Sequence, residues 1–372
     1  MHRLDFKTCL YLIKTGEFIL DLEFLKKIVE IDAAPGFEKP IIDFLKKKIT
    51  FCNEIYEDKF GNLIAVKKGT SETPKIFISA HVDELGMLVK YIDKEGFIRF
   101  SFLGGFYDLA VLNQRITIHT KKGPVKGIIA CKPPHLMDEE ERKKNIKKED
   151  MFIDIGVASR EEAEKIGVKI GDPIVWEGPL LHLQGDRYVA KAFDNKIAVL
   201  VLYDVLKEIK NFKGTLYGAF TLMEEVGLRG AETSIYPIDP DVAISLDISL
   251  AGDYPMVKEG NSPIFIGKGP AITIASGSRT SLQGGLISHP KVRQFLIDIA
   301  EEEKIPYQLE IMEGGTTDGT KFAVTKGGIP TGNIGIPSRY SHTPVEIIAL
   351  TDVQNTIALL VKAVEKLHEA FS

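Results

Sequence analysis

Lys75-Ile76-Phe77-Ile78-Ser79-Ala80 runs without a break into His81-Val82-Asp83-Glu84. The apolar run has the length of a buried strand. A polar cluster at the end of such a strand is the usual position for chemistry in open α/β sheets. Upstream, Glu57 to Val66 reads as two strands meeting at a turn around Gly61. Apolar residues at helical spacing predict helices over Leu22 to Ile31 and Ile41 to Ile49, joined through Ala33-Ala34-Pro35-Gly36-Phe37.

From Leu85 to Gly185 the pattern changes. Short β-type runs at Phe97 to Phe102, Arg115 to His119 and Val125 to Ala130 alternate with turns at Lys94-Glu95-Gly96, Gly104-Gly105 and Lys122-Gly123-Pro124. That alternation predicts a small β-barrel. The charged tract Asp138 to Asp150 reads as a solvated or mobile loop. After Gly185 the α/β rhythm returns. A periodic helix is expected over Ala192 to Ile209, and strands at Gly214 to Met223 and Asp241 to Leu246. A helix over Pro290 to Glu303 precedes strands at Tyr307 to Ile311 and Pro330 to Ile334, and a last helix runs from Thr351 to Glu369. The expected organisation is one α/β domain, residues 1–84 and 186–372, split by an inserted β-barrel at 85–185.

The chain has 372 residues, 44% of them hydrophobic, enough for more than one core. A net charge of -5 with no basic stripe argues against nucleic-acid binding. Cys9, Cys52 and Cys131 are scattered and odd in number, which fits a reducing compartment rather than a disulfide scaffold. Lys14 and Glu17 interrupt the only apolar stretch near the N-terminus. No run reaches the roughly 18 apolar residues of a membrane span. A soluble cytoplasmic protein is expected.

Five sites follow a strand or open a helix: His81-Val82-Asp83, Asp194-Asn195, Glu224-Glu225, Asp247 and His342. Each has a plainer alternative. Asp194 could cap a helix, Glu224-Glu225 could be a solvated strand end, and His342 could be an idle loop residue. Buried strands rarely end in uncompensated carboxylates, and no matching Lys/Arg set occurs at these positions, so cations are required. Imidazole with carboxylate suits zinc, cobalt or manganese. Two divalent ions would balance three ligating carboxylates and one hydroxide, leaving a fourth carboxylate to accept a proton. Glu224 and Glu225 can both serve only if the chain turns there, which Gly227 permits. Asp318 reads either as a helix N-cap or as a substrate-facing residue, and His289, before Pro290, as a capping or turn residue. No Gly-x-Ser-x-Gly elbow or Gly-rich phosphate loop occurs.

These stretches resemble the tetrahedral aminopeptidase family, which includes glutamyl aminopeptidases and proteins once labelled endoglucanases. The matching segments are Ala80 to Gly86, Ala192 to Lys196, Met223 to Gly227, Leu246-Asp247 and Arg339 to Glu346. They come in family order across nearly the whole chain. The departures are an extension of roughly twenty residues before the first helix and the charged tract near Asp138.

The resemblance implies a Zn-peptidase-like mixed sheet with flanking helices and an inserted barrel used for dimerisation. His81 and Asp247 would bind one divalent ion, Glu225 and His342 the other, with Asp194 bridging. Asp83 would orient His81, and Glu224 would be the general base. The ions, about 3.5–4 Å apart, would hold the hydroxide that attacks peptides bearing free N-termini. The implied assembly is a homo-oligomer of dimers, up to a dodecameric shell.

A di-metal deacylase or carboxypeptidase would use the same scaffold. A glycosidase generally needs two carboxylates and no histidine-held ion. A non-catalytic shell protein would have no need of Glu224. Asp253 to Ser262 and Arg279 to Gln283 are the candidate walls of the specificity pocket.

Overall fold

A computed structural model describes residues 19–371. The extension ahead of the first helix, with Cys9, Lys14 and Glu17, lies outside the described residues. Among those described, eleven strands form one mixed sheet and six more close a separate barrel. At the centre of the sheet four parallel strands lie side by side: Thr215–Thr221, Lys75–His81, Val242–Leu250 and Thr331–Arg339. Parallel strands covered on both faces are apolar throughout rather than alternating. Accordingly Ile76 to His81 are buried without interruption. Their aligned C-terminal ends bring His81, Thr221 and Asp247 to one edge.

Both faces are covered by helices. On one side pack Leu22–Glu30, Phe193–Glu208, Pro290–Glu302 and Leu350–Ala370, through residues such as Phe24, Ile197, Leu296 and Leu360. On the other, Arg229–Ile238 and Gly319–Ala323 cover Phe77 and Ala219, with Phe322 against Phe77 at 5.1 Å between ring centroids. The helix over Phe193–Glu208 departs from the expected periodicity. Thirteen of its sixteen residues are buried, so it is a central helix wrapped on nearly all sides rather than a two-faced one.

The insert closes as a barrel from Gly86–Ile92 through Pro173–Trp176, around its own core of Met87, Phe100, Ile116, Ile153 and Trp176. Leu181–His182, inside the expected boundary of the insert, instead pairs with Arg187–Ala190 in the main sheet. The charged tract is not wholly loop. Asp138 caps a short helix, Glu139–Lys143, in a reciprocal capping box with Glu141. Asx-type capping chemistry was present in that tract but hidden among its charges.

A buried ionic network ties the insert to the main domain. Lys191 and Lys196 reach the Glu84 carboxylate at 2.9 and 2.7 Å, Lys191 also pairs with Asp32, and Asp32 meets His119 of the barrel at 2.7 Å. These two lysines are the cations that the sequence did not reveal. They neutralise Glu84 and Asp32 behind the sheet edge and leave its carboxylates uncompensated. No helix among the described residues is long and apolar enough to cross a membrane.

Candidate active site

The sheet edge opens into a cavity of about 770 Å³ lined by His81, Asp194, Glu224, Glu225, Asp247 and His342. All five sites named from the sequence therefore meet, although they come from five separate segments. His81 ends its strand, and its Nε2 lies 3.4 Å from Asp194 Oδ1 and 3.9 Å from Glu224 Oε2. His342 Nε2 approaches Asp194 Oδ2 at 3.3 Å and Glu225 Oε2 at 3.9 Å. Asp194 thus presents one oxygen to each imidazole. It does so because residues 194 and 195 leave helical geometry (φ -77°, ψ 102° at Asp194), and its side chain caps nothing.

Left-handed backbone marks the segments that deliver these groups. Met223 (φ 53°), Leu228 (φ 58°) and Gly227 (φ 119°) fold the chain on both sides of Glu224-Glu225, so the turn does not rest on Gly227 alone. Tyr340 and His342 (both φ 61°) do the same in the last ligand-bearing loop. Such conformations cost non-glycine residues free energy and collect where a site needs them.

Hydrogen bonds fix the frame. Asp83 is fully buried and accepts the backbone N–H groups of Glu224 (3.0 Å) and Glu225 (3.1 Å). His81 Nδ1 stands 3.1 Å from the Asp83 carbonyl oxygen and 3.5 Å from its carboxylate. Asp83 therefore holds the glutamate turn as well as facing His81. Glu346 does a parallel job: its buried carboxylate accepts from Asp194 N–H at 2.8 Å and His342 N–H at 3.0 Å. Glu38 accepts from Met223 N–H at 3.2 Å, Asn195 donates to the Leu246 carbonyl at 2.8 Å, and Ser341 donates to Asp194 at 3.2 Å. Sequence reasoning gave none of these four a role, although it named Asn195 beside Asp194. Asn195, Ser341 and Glu346 stood inside the diagnostic segments, whereas nothing local marks Glu38.

The insert reaches the site too. The Gly105 carbonyl lies 2.7 Å from His342 Nδ1, and Gly105, Phe106 and Tyr107 line the cavity. Phe106 is anchored against Phe102 and Trp176 of the barrel. The resemblance implied an insert used for dimerisation; its first long loop is also a wall of the cavity.

The electrostatics call for cations. Burial, with Asp247 and Glu225 adding repulsion against the pull of His81, pushes Glu224 well above the usual carboxylate range. Burial and Asp194 likewise push Glu225 up to about 8 and Asp247 well above its ordinary value. Asp194 stays low despite burial, because His342 and His81 both hydrogen-bond it. His342 is raised to about 10 against its own burial by Asp194 and Glu225. Two imidazoles cannot keep four neighbouring carboxylates ionised.

Glu225 Oε1 is buried without a hydrogen-bond partner. Ligand atoms of His81, Asp194 and Asp247 lie within 4.8 Å of one another, as do those of Asp194, Glu225 and His342. These are two metal-binding clusters sharing Asp194, and the donor set fits divalent ions. Asp318 is buried and accepts from Thr221 at 2.6 Å rather than capping its helix, and it does not line the cavity.

The comparisons agree with this geometry. An aminopeptidase from the archaeon Desulfurococcus kamchatkensis superimposes with a TM-score of 0.88 at 38% identity, over 92% of this chain and 94% of that one. The Pyrococcus horikoshii TET1 peptidase, which can assemble into a tetrahedron or a large octahedral shell, gives 0.81 at 30% identity, over 92% and 98%. The lysyl aminopeptidase of Pyrococcus furiosus is 32% identical over 94% of this chain and 98% of its own length. Residues 61–359 match the M42 glutamyl aminopeptidase model, and the chain belongs to that family as a two-metal aminopeptidase.

Proposed function

We propose that Glu224 is the general base of this peptidase, that His81 and Asp247 hold one divalent ion and Glu225 and His342 the other, and that Asp194 bridges them. The shared Asp194, offering one oxygen to each cluster, is the observation that carries this reading. When bound, two divalent ions supply Lewis-acid polarisation of the scissile carbonyl and acidify water. Among the described residues no hydrogen bond occupies the Glu224 carboxylate, and burial keeps its proton affinity high. That suits it to take a proton from the attacking water and return it to the leaving amine. Asp83 and Glu346 hold the ligand-bearing backbone. The Gly105 carbonyl accepts Nδ1–H of His342, which leaves Nε2 free for an ion.

Zinc or cobalt fits the two histidines, with manganese the alternative. Residues 85–185 form the unit through which dimers assemble, and a dodecameric shell is the expected homo-oligomer by analogy with the Pyrococcus horikoshii protein. Peptides with free N-termini are the substrates. The free Cys52 and Cys131 support a cytoplasmic setting.

Exhaustive chelation followed by stepwise refilling tests the reading. Activity should vanish, return on refilling, and saturate near two ions per chain. Full activity with metal absence verified by elemental analysis overturns it. Light scattering under the same conditions should report a multiple of the dimer mass.

A further inference from the structure

We infer that the subsite for the N-terminal side chain accepts an uncharged aliphatic or thioether group and discriminates against both acidic and basic ones. This rests on the aminopeptidase reading and specifies its substrate class.

An aminopeptidase needs one closed end, because nothing precedes the residue it removes. The residues lining the cavity are of two kinds, exposed and buried. Toward the barrel loop it is open: Tyr107 is 65% exposed and His342 is partly exposed. A peptide can continue in that direction. Elsewhere in the lining Ile248, Met312 and Thr317 are buried, and Leu250 is 40% exposed. Gly315 leaves room there. A Cβ on it would sit 3.4 Å from Met312 Cε, so the methionine thioether covers that stretch of wall.

No charged side chain belongs to this part of the lining. The charged groups lining the cavity are the carboxylates and imidazoles of the metal centre. The hydroxyls present are already engaged, Thr317 with Ser245 at 3.2 Å and Thr316 with Thr320. They do not call for a polar partner on the substrate. A glutamate or lysine side chain entering here would lose water and find no counter-charge, which is costly. A leucine or methionine side chain would gain from burial against Ile248, Leu250 and Met312.

One cation near this part of the lining is Arg279, whose Nε is 3.3 Å from where a Cβ on Gly314 would stand. It is exposed and is not among the residues lining the cavity. Of the two segments expected to form walls, 253–262 and 279–283, neither contributes a lining residue. The family's glutamyl label is thus not matched by a basic group in this chain's cavity.

The test uses the full-length, metal-loaded oligomer and the p-nitroanilides of leucine, methionine, glutamate and lysine. Leucine and methionine should exceed glutamate and lysine by about 10- to 100-fold in kcat/KM. Arg279→Ala should leave that order unchanged. Leu250→Arg, at a partly exposed position of the lining, should raise the glutamate-to-leucine ratio by about tenfold, a gain that general damage cannot produce. Glutamate as the best substrate, with the preference lost in Arg279→Ala, overturns the inference, as does lysine as the best substrate. Hydrolysis of none of the four with two ions bound overturns the aminopeptidase reading itself, and this inference with it.

Discussion

Asp83→Asn removes one acceptor from the turn that carries Glu224 and Glu225. The carboxylate of Asp83 is fully buried, and its two oxygens take the N–H groups of those residues at 3.0 and 3.1 Å. Asparagine keeps the shape and one acceptor, but its amide presents N–H to a backbone N–H. One charge-assisted hydrogen bond, worth about 1.5–3 kcal/mol, is lost. Felt wholly in the reacting complex, that is roughly a 10- to 150-fold loss of rate. A second term opposes it in the metal-free protein. Asp83 raises the proton affinity of Glu38, Glu225 and Asp318, so deleting its charge relieves repulsion. The two terms predict a metal-free melting temperature that moves little. In the loaded enzyme kcat should fall by about 10- to 100-fold, while KM stays within about twofold. Calorimetry of both forms, steady-state kinetics and metal content measured on the same preparations decide the matter. A kcat within about twofold of wild type, with both ions retained, refutes the idea that this pair of hydrogen bonds sets the position of the base.

The adjacent glutamates should fail differently. Glu224→Gln should keep both ions while kcat falls by about 10²–10⁴-fold, whereas Glu225→Gln should lose one ion and be partly rescued by added metal; the opposite pattern in metal analysis reverses the two roles. Gly104→Ala should lower activity and destabilise by about 1–3 kcal/mol, because φ is +99° and the new Cβ would lie 2.3 Å from Leu85 Cδ2. Gly105→Ala, whose Cβ would meet His342 Nδ1 at an ordinary 3.5 Å, should be close to neutral in thermal melts and rate. Burial pushes Glu310 up to about 7, and only the hydroxyls of Ser249 and Thr273 answer its charge. The folded state therefore binds its proton more tightly, and stability is lost as pH rises from about 4.5 to 7, by about 3 kcal/mol if the whole shift is expressed. Glu310→Gln should flatten that slope in pH-dependent denaturant titrations at fixed metal, and an unchanged slope refutes the assignment.

Local signals in the sequence were enough for the elements and the chemistry. The apolar run ending at His81, the β-type runs with glycine turns after Leu85, and carboxylates just beyond the strand over 215–221 and late in the strand over 242–250 are all local patterns. Local patterns survive folding because strand and helix burial depends on side chains a few positions apart. The resemblance added the pairing of ligands, which spacing alone leaves open.

What only the tertiary structure decided are relations between residues distant in the chain. Glu346 was visible beside His342, yet nothing in one dimension says that it also accepts from Asp194 N–H. Glu38, 185 positions from Met223, carries no local signature at all. Lys191 and Lys196 read as ordinary charges until the fold sends both to Glu84 and away from the sheet edge. The loop over Gly104 to Tyr107 reads as a turn of the insert until barrel closure brings it onto His342. The composition of a wall follows the same logic. Whether Met312 or Arg279 faces a substrate depends on which way two chain crossings turn, and hydrophobic periodicity does not encode that direction.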